Sequence, residues 1–172
     1  GTIGGAIMMN AGTAKGDMSS IIESINVLNF TTLKIETIQR NALDFSYRNL
    51  NLSGIITGVK LNLKKADKKI IEKKFNQNLK LKNETQPVSF ASAGCFFKNP
   101  ENGPSAGKLI EDAGFKGKKI NDAMVSEIHA NYIVNINNAT AKDILKLKEN
   151  IEETVFEKYH IKLETEVRVK GE

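Results

Sequence analysis

Apolar residues recur along this chain with two periods, and the period changes near Lys64. From Ile55 to Leu63 they alternate: Ile55, Thr57, Val59, Leu61 and Leu63 fall on one side, Ile56, Gly58, Lys60 and Asn62 on the other. That spacing predicts a strand with its Ile55 side in the core. Two earlier strands are expected over 21–30 and 33–39, joined by a turn at Asn29 to Thr32. A glycine turn and a short helix over 5–10 precede them, and Asn41 is placed to cap a turn before Phe45.

Beyond Lys64 the helix period takes over. Ile70, Ile71, Phe75 and Leu79 form a stripe on a lysine-rich background, predicting a helix over 66–81. A second helix is expected over 105–113, with Ser105 as its cap and Gly114 as its stop. A strand over 132–135 follows, then a long helix from Thr140 to Tyr159 with apolar positions at Ile144, Leu147, Ile151, Val155 and Tyr159. Thr140 and Asp143 have the spacing of a capping box. A final strand over 162–170 would set Leu163, Thr165, Val167 and Val169 against Glu164, Glu166 and Arg168. Helices segregated from alternating strands predict an α+β protein with mixed or antiparallel sheets. A boundary between two lobes is expected at 66/67, giving lobes 1–66 and 67–172.

Composition narrows the function classes. The 172 residues are 40% apolar and 26% charged, within the range of a globular protein. One cysteine excludes an intrachain disulfide, and no run approaches a membrane span, so a reducing, cytoplasmic setting is expected. The net charge of +5 comes largely from lysines between Lys60 and Lys82, at the spacing of a solvated helix face. With 6% aromatics and no arginine cluster, nucleic acid is not the expected partner. An anionic small molecule suits the charge better. The opening Gly1-Thr2-Ile3-Gly4-Gly5-Ala6 reads as a start partway through a longer protein.

Four places carry candidate chemistry. The opening glycines are either a tight turn or a cradle of backbone N–H groups for a phosphate or flavin edge. Arg48, in Phe45-Ser46-Tyr47-Arg48, is either a surface cation or a carboxylate-recognising guanidinium. Glu166 faces solvent unless another lobe roofs it, in which case it becomes an acid or a counter-ion. Cys95, in Ser92-Ala93-Gly94-Cys95-Phe96-Phe97-Lys98-Asn99-Pro100, is either a small buried hydrophobe or a proton donor. A nucleophilic pair with His129 is a weaker possibility, and nothing has the spacing of a metal site.

These stretches together resemble the bacterial UDP-N-acetylenolpyruvoylglucosamine reductases, flavoenzymes of peptidoglycan precursor synthesis. The match also includes Met9-Asn10-Ala11-Gly12, Thr85-Gln86-Pro87, Ala106-Gly107-Lys108-Leu109-Ile110-Glu111 and Val125-Ser126-Glu127-Ile128-His129-Ala130-Asn131. The short path from Arg48 to Ile55 resembles the second type, which lacks a tyrosine-bearing loop. The resemblance implies that 1–66 is the C-terminal part of an FAD-binding domain and 67–172 a substrate-binding domain. It implies FAD as cofactor, NADPH as reductant and UDP-N-acetylglucosamine enolpyruvate as substrate. On this reading the chain is a fragment lacking the upstream flavin-binding half, and inactive in isolation. Arg48, Cys95 and Glu166 match the catalytic positions, Gly4, Gly5, Ala6 and Asn10 the cofactor side, and Lys98 and Asn99 the substrate side. Cys95 stands where many members carry a serine; a thiol, with a pKa of ~8.5, is the stronger acid. A non-catalytic nucleotide-sugar-binding or interaction domain is the alternative.

Overall fold

The computed structural model describes residues 1–13 and 15–171. Glu172, the last residue of the second expected lobe, lies outside them. The chain divides into two compact units, Gly1–Asp67 and Lys68–Glu172. Both mix helices with antiparallel strands, an α+β architecture.

The first unit opens with helix α1 (Ile3–Met8), whose N-cap Thr2 accepts the Gly5 N–H. A hairpin of β1 (Gly12–Thr13) and β2 (Gly16–Asp17) follows. Next come β3 (Ile22–Leu28), β4 (Ile35–Gln39), the two-residue pair β5 (Phe45–Ser46) and β6 (Asn49–Leu50), and β7 (Ile55–Leu61). The main sheet has the order β4-β3-β7, antiparallel throughout. Ile22, Ile25 and Val27 of β3 meet Ile7, Leu43 and Leu50 in its core.

Two expectations fail here. Asn41 sits inside a 3-10 turn (Arg40–Ala42) whose cap position is Gln39, with no side-chain bond to it. The inner face of β7 is carried by Ile56, Val59 and Leu61, while Ile55 is 53% exposed and Leu63 is also exposed. The cause is a bulge. Val27 pairs with Ile56 but Asn26 pairs with Gly58, so Thr57 is an extra residue that reverses the alternation. A second extra residue, Glu23, lies on β3 between the pairs Ile22–Leu61 and Ser24–Lys60.

The second unit begins with α2 (Lys68–Thr85), followed by β8 (Ala91–Ser92), α3 (Ala106–Asp112), β9 (Lys119–Ile120), β10 (Ala123–Val125), β11 (Ile133–Asn135) and α4 (Ala141–Tyr159). Its sheet runs β8-β11-β10-β9, all antiparallel. Helix α4 follows its sequence signals closely. Thr140 and Asp143 exchange both capping-box bonds, and Leu147, Ile151 and Val155 are fully buried. Each such burial is worth about 1.5–3 kcal/mol. Helix α3 is capped by Ser105 and ends at Gly114, whose φ of +80° suits glycine. There the Gly114 N–H donates to the Glu111 carbonyl and the Phe115 N–H to the Ile110 carbonyl, closing a Schellman motif.

Helix α2 forms as the period predicts, and its apolar stripe is exposed; Phe75 is 64% exposed. The expected last strand also fails. Only Thr165 forms a bridge, with Phe97, and Val169 is 60% exposed. With Phe97 opposite Thr165, the next rung would pair Phe96 with Glu166, but the Phe96 N–H is taken by the Asn131 carbonyl and the ladder stops there.

Candidate active site

The Cys95 segment is held in place by two neighbours. Asn131, 3% exposed, accepts the Phe97 N–H at Oδ1 (2.9 Å) and donates Nδ2–H to the Phe97 carbonyl (2.7 Å). Its own carbonyl accepts the Phe96 N–H at 2.8 Å. From the C-terminal segment, the Glu166 N–H donates to the Phe96 carbonyl (2.9 Å), and the Lys98 N–H donates to the Glu164 carbonyl (2.8 Å). Phe96 and Phe97 are buried and anchor the loop, whereas Cys95 between Gly94 and Phe96 stays partly exposed. Gly94, at φ +91°, makes the turn that presents the thiol.

Glu166 therefore lies beside the cysteine loop without belonging to a strand, which corrects its expected setting. Tyr132 lies close enough to this group for its phenol to feel Cys95 and the charge of Glu166. Burial first, then the influence of Cys95 and the charge of Glu166, hold the phenol above its ordinary pKa of 10.0.

His129 lies on the same turn as Asn131. Its Nδ1 accepts the Asn131 N–H at 3.2 Å, and its ring meets Tyr132 edge-on at 5.0 Å. That nitrogen is thus occupied by a backbone donor. Burial lowers the imidazole pKa below 6.5. Lys98 Nζ lies 3.1 Å from Glu164 Oε2 in a largely open pair. Asn99 Oδ1 accepts the N–H of Ala106, the first residue of α3, so this oxygen serves the loop before the helix.

The remaining candidates belong to the first unit. Arg48 is half-buried at φ +55°; its Nη2 donates to the Gly12 carbonyl (3.0 Å), and its guanidinium lies 5.0 Å from the Tyr47 ring centroid. Gly4 and Ala6 are partly exposed and Gly5 is exposed, so one turn of α1 carries nothing larger than a methyl. Asn10 is buried and fully engaged: Nδ2 donates to Asp17 and to the Ser46 carbonyl, and Oδ1 accepts the Ser19 N–H. The Ser19 hydroxyl, 2.7 Å from Asp17 Oδ1, is the main cause holding that carboxyl below 3.8.

Residues 86–170 match the family described as UDP-N-acetylenolpyruvoylglucosamine reductase, C-terminal domain. A reductase of that name from Desulfosudis oleivorans is 40% identical, the alignment covering all of this chain and 58% of the relative. The one from Bacillus subtilis is 40% identical over 99% of this chain and 57% of its own length. The crystal structure of the Thermus caldophilus enzyme superimposes with a TM-score of 0.84 at 39% identity, over 96% of this chain and 59% of that one. Residues 86–170 belong to the UDP-N-acetylenolpyruvoylglucosamine reductase C-terminal-domain family, and the chain as a whole is similar to reductases of that name.

The chain spans a little over half the length of the curated reductases it matches. Its family segment, 86–170, contains the Cys95, Tyr132 and Glu166 group. Two of those three are recognisable by resemblance to the reductases. Tyr132 is not, because an aromatic opening a buried strand reads as core. Asn131 had a faint signal: a polar residue set directly against the apolar run of Tyr132, Ile133 and Val134.

Proposed function

We propose that the protein carrying this chain reduces UDP-N-acetylglucosamine enolpyruvate to UDP-N-acetylmuramate for peptidoglycan synthesis, using FAD and NADPH. The observation that carries this reading is the grouping of Cys95, Tyr132 and Glu166 within a reductase-family segment. In this reading 1–66 is flavin-side and 67–172 substrate-side.

The exposed side of the α1 turn would suit a flavin edge at Gly5 and Ala6, where no bulky side chain stands, while the bare side of Gly4 faces Ile56 of β7. Asn10, its polar atoms engaged, would serve by fixing the adjoining loop. When bound and reduced by NADPH, the flavin supplies the hydride that the methylene carbon requires.

The protein's own residues handle the proton and the charge. The Cys95 S–H bond breaks and a C–H bond forms at the carbon beside the carboxylate; the electron pair of S–H remains on sulfur, and solvent restores the proton. Arg48 pairs with the substrate carboxylate, where enolate charge develops. Glu166 polarises the same end. Lys98 takes an anionic part of the nucleotide sugar, since an exposed pair with Glu164 costs little to exchange. Asn99 offers its amide N–H groups while Oδ1 holds Ala106.

Half-reactions test this in the full-length protein. Cys95→Ala should leave NADPH-driven flavin reduction near the parent rate and slow reoxidation by the enolpyruvyl substrate about 10²- to 10⁴-fold. Reoxidation at the parent rate would remove Cys95 as the acid. A protein that binds the sugar nucleotide but never oxidises NADPH would favour the binding-domain alternative.

A further inference from the structure

Cys95 lies where a ladder is broken and then resumed. Strand β8 pairs with β11 through Ala91–Asn135 and Ser92–Val134. Further along the same two stretches, the Phe96 N–H donates to the Asn131 carbonyl at 2.8 Å. From Ser92 to Phe96 is four steps, whereas from Val134 to Asn131 is three. One extra residue is therefore looped out around Gly94 and Cys95, with Gly94 taking the turn at φ +91°. An excursion of this kind re-aims the side chain that it carries. A Cβ on Gly94 would meet nothing within 4 Å, so no packing holds the excursion at that point.

What fixes the thiol's own backbone thus lies on its C-terminal side. The Asn131 amide takes both polar groups of Phe97, and its carbonyl takes the N–H of Phe96. On the opposite edge the Glu166 N–H donates to the Phe96 carbonyl at 2.9 Å, so Cys95 and Glu166 are joined through one residue. Asn131 is braced in turn. Its N–H goes to His129 Nδ1 at 3.2 Å, and that ring lies against Gly107 of α3. A Cβ at 107 would come within 3.1 Å of His129 Cε1 and 3.7 Å of the Asn131 Cβ. Lys98 and Asn99 have anchors of their own, in the Glu164 carbonyl and the Ala106 N–H.

We propose that Asn131 is the positioning residue of the proton donor: by resuming the ladder one residue late, it sets Cys95 Sγ within reach of the substrate carbon and holds Glu166 in the same frame. The role rests on the reading of Cys95 as the acid. Asn131 is 3% exposed and acts through the backbone of Phe96 and Phe97, not on the substrate.

Half-reactions in the full-length protein, normalised to bound flavin, test the role. Asn131→Ala should slow reoxidation by saturating enolpyruvyl substrate about 10- to 10²-fold, the effect of a reacting group displaced by ~1 Å. The half-saturating concentration should stay within about threefold of the parent, and NADPH-driven reduction should be unchanged. Lost stability alone would lower the flavin-loaded fraction and leave each rate per flavin where it was. Without flavin or substrate, iodoacetamide alkylation of Cys95, the only thiol, should be about threefold faster, because a loop freed of its clamp opens more often. Gly107→Ala is the second variant. Alanine favours helix α3, so the fold survives, while the methyl must shift the His129 ring by a few tenths of an ångström and loosen its hold on the Asn131 N–H. Reoxidation should slow about threefold at unchanged half-saturation, and this variant decides the matter where Asn131→Ala does not fold. Reoxidation at the parent rate in either folded variant, an unchanged alkylation rate, or a loss seen only as weaker substrate binding overturns the proposal. Unimpaired reoxidation in Cys95→Ala removes the acid reading, and the role with it. An impaired Cys95→Ala beside an unimpaired Asn131→Ala removes the positioning role alone.

Discussion

Asn131 behaves towards Phe97 as a neighbouring strand would, accepting its N–H at 2.9 Å and donating to its carbonyl at 2.7 Å. No regular ladder covers Phe97 on that side, so one side-chain amide satisfies both backbone groups. Removing it leaves a buried donor and a buried acceptor unmatched. Asn131→Ala should cost about 2–4 kcal/mol, read as a lower urea midpoint. Asn131→Asp should be no better, because a carboxylate cannot donate to the Phe97 carbonyl. A midpoint within error of the parent would show that the bidentate contact does not hold the cysteine loop.

His129 predicts an acid-side loss of stability. The unfolded chain protonates this imidazole near 6.5, whereas burial delays protonation in the folded chain to lower pH. As pH falls below 6.5 the unfolded state binds more protons and stability declines; above it the contribution is complete. Protonation would also remove Nδ1 as the acceptor for the Asn131 N–H. Urea midpoints at about pH 8 and about pH 5.5 should differ in the parent and differ less in His129→Gln, whose amide oxygen accepts without titrating. Equal slopes for the two proteins would count against it.

Lys98 separates stability from binding. Its pair with Glu164 leaves the two side chains 38% and 72% exposed, so Lys98→Met should change stability by no more than about 0.5 kcal/mol. In the full-length protein the same variant should raise KM for the sugar nucleotide about tenfold with kcat nearly unchanged, the pattern of lost uniform binding. An unchanged KM would remove Lys98 from the substrate site.

Legibility in the sequence follows the range of the signal. Helix α4 and the end of α3 are written locally: a stripe of Leu147, Ile151 and Val155, a Thr140–Asp143 cap and a glycine stop. The inner face of β7 is not, because the extra residue Thr57 exists only relative to its partner strand. The α2 stripe is legible as a helix period, but periodicity says nothing about what covers the face. The alternation over 162–170 promises a strand that its partner cannot extend, because the Phe96 N–H is already given to the Asn131 carbonyl. Cys95, Glu166 and Arg48 are found by resemblance to the reductase family, not by spacing. Tyr132 and Asn131 acquire meaning only when the 126–132 turn is laid against the cysteine loop.

The bulges at Glu23 and Thr57 have a joint effect that neither has alone. One extra residue on β3 shifts the rungs from Ser24 to Asn26 by a single step, and one on β7 shifts them back, so Ile22–Leu61 and Leu28–Ile55 share one frame. The sheet thus contains a dislocation that opens and closes within three rungs. Length changes in these two strands are therefore coupled: a residue lost from one carries the misfit to an end of the ladder, while a matched loss from both leaves every contact beyond the fault where it was.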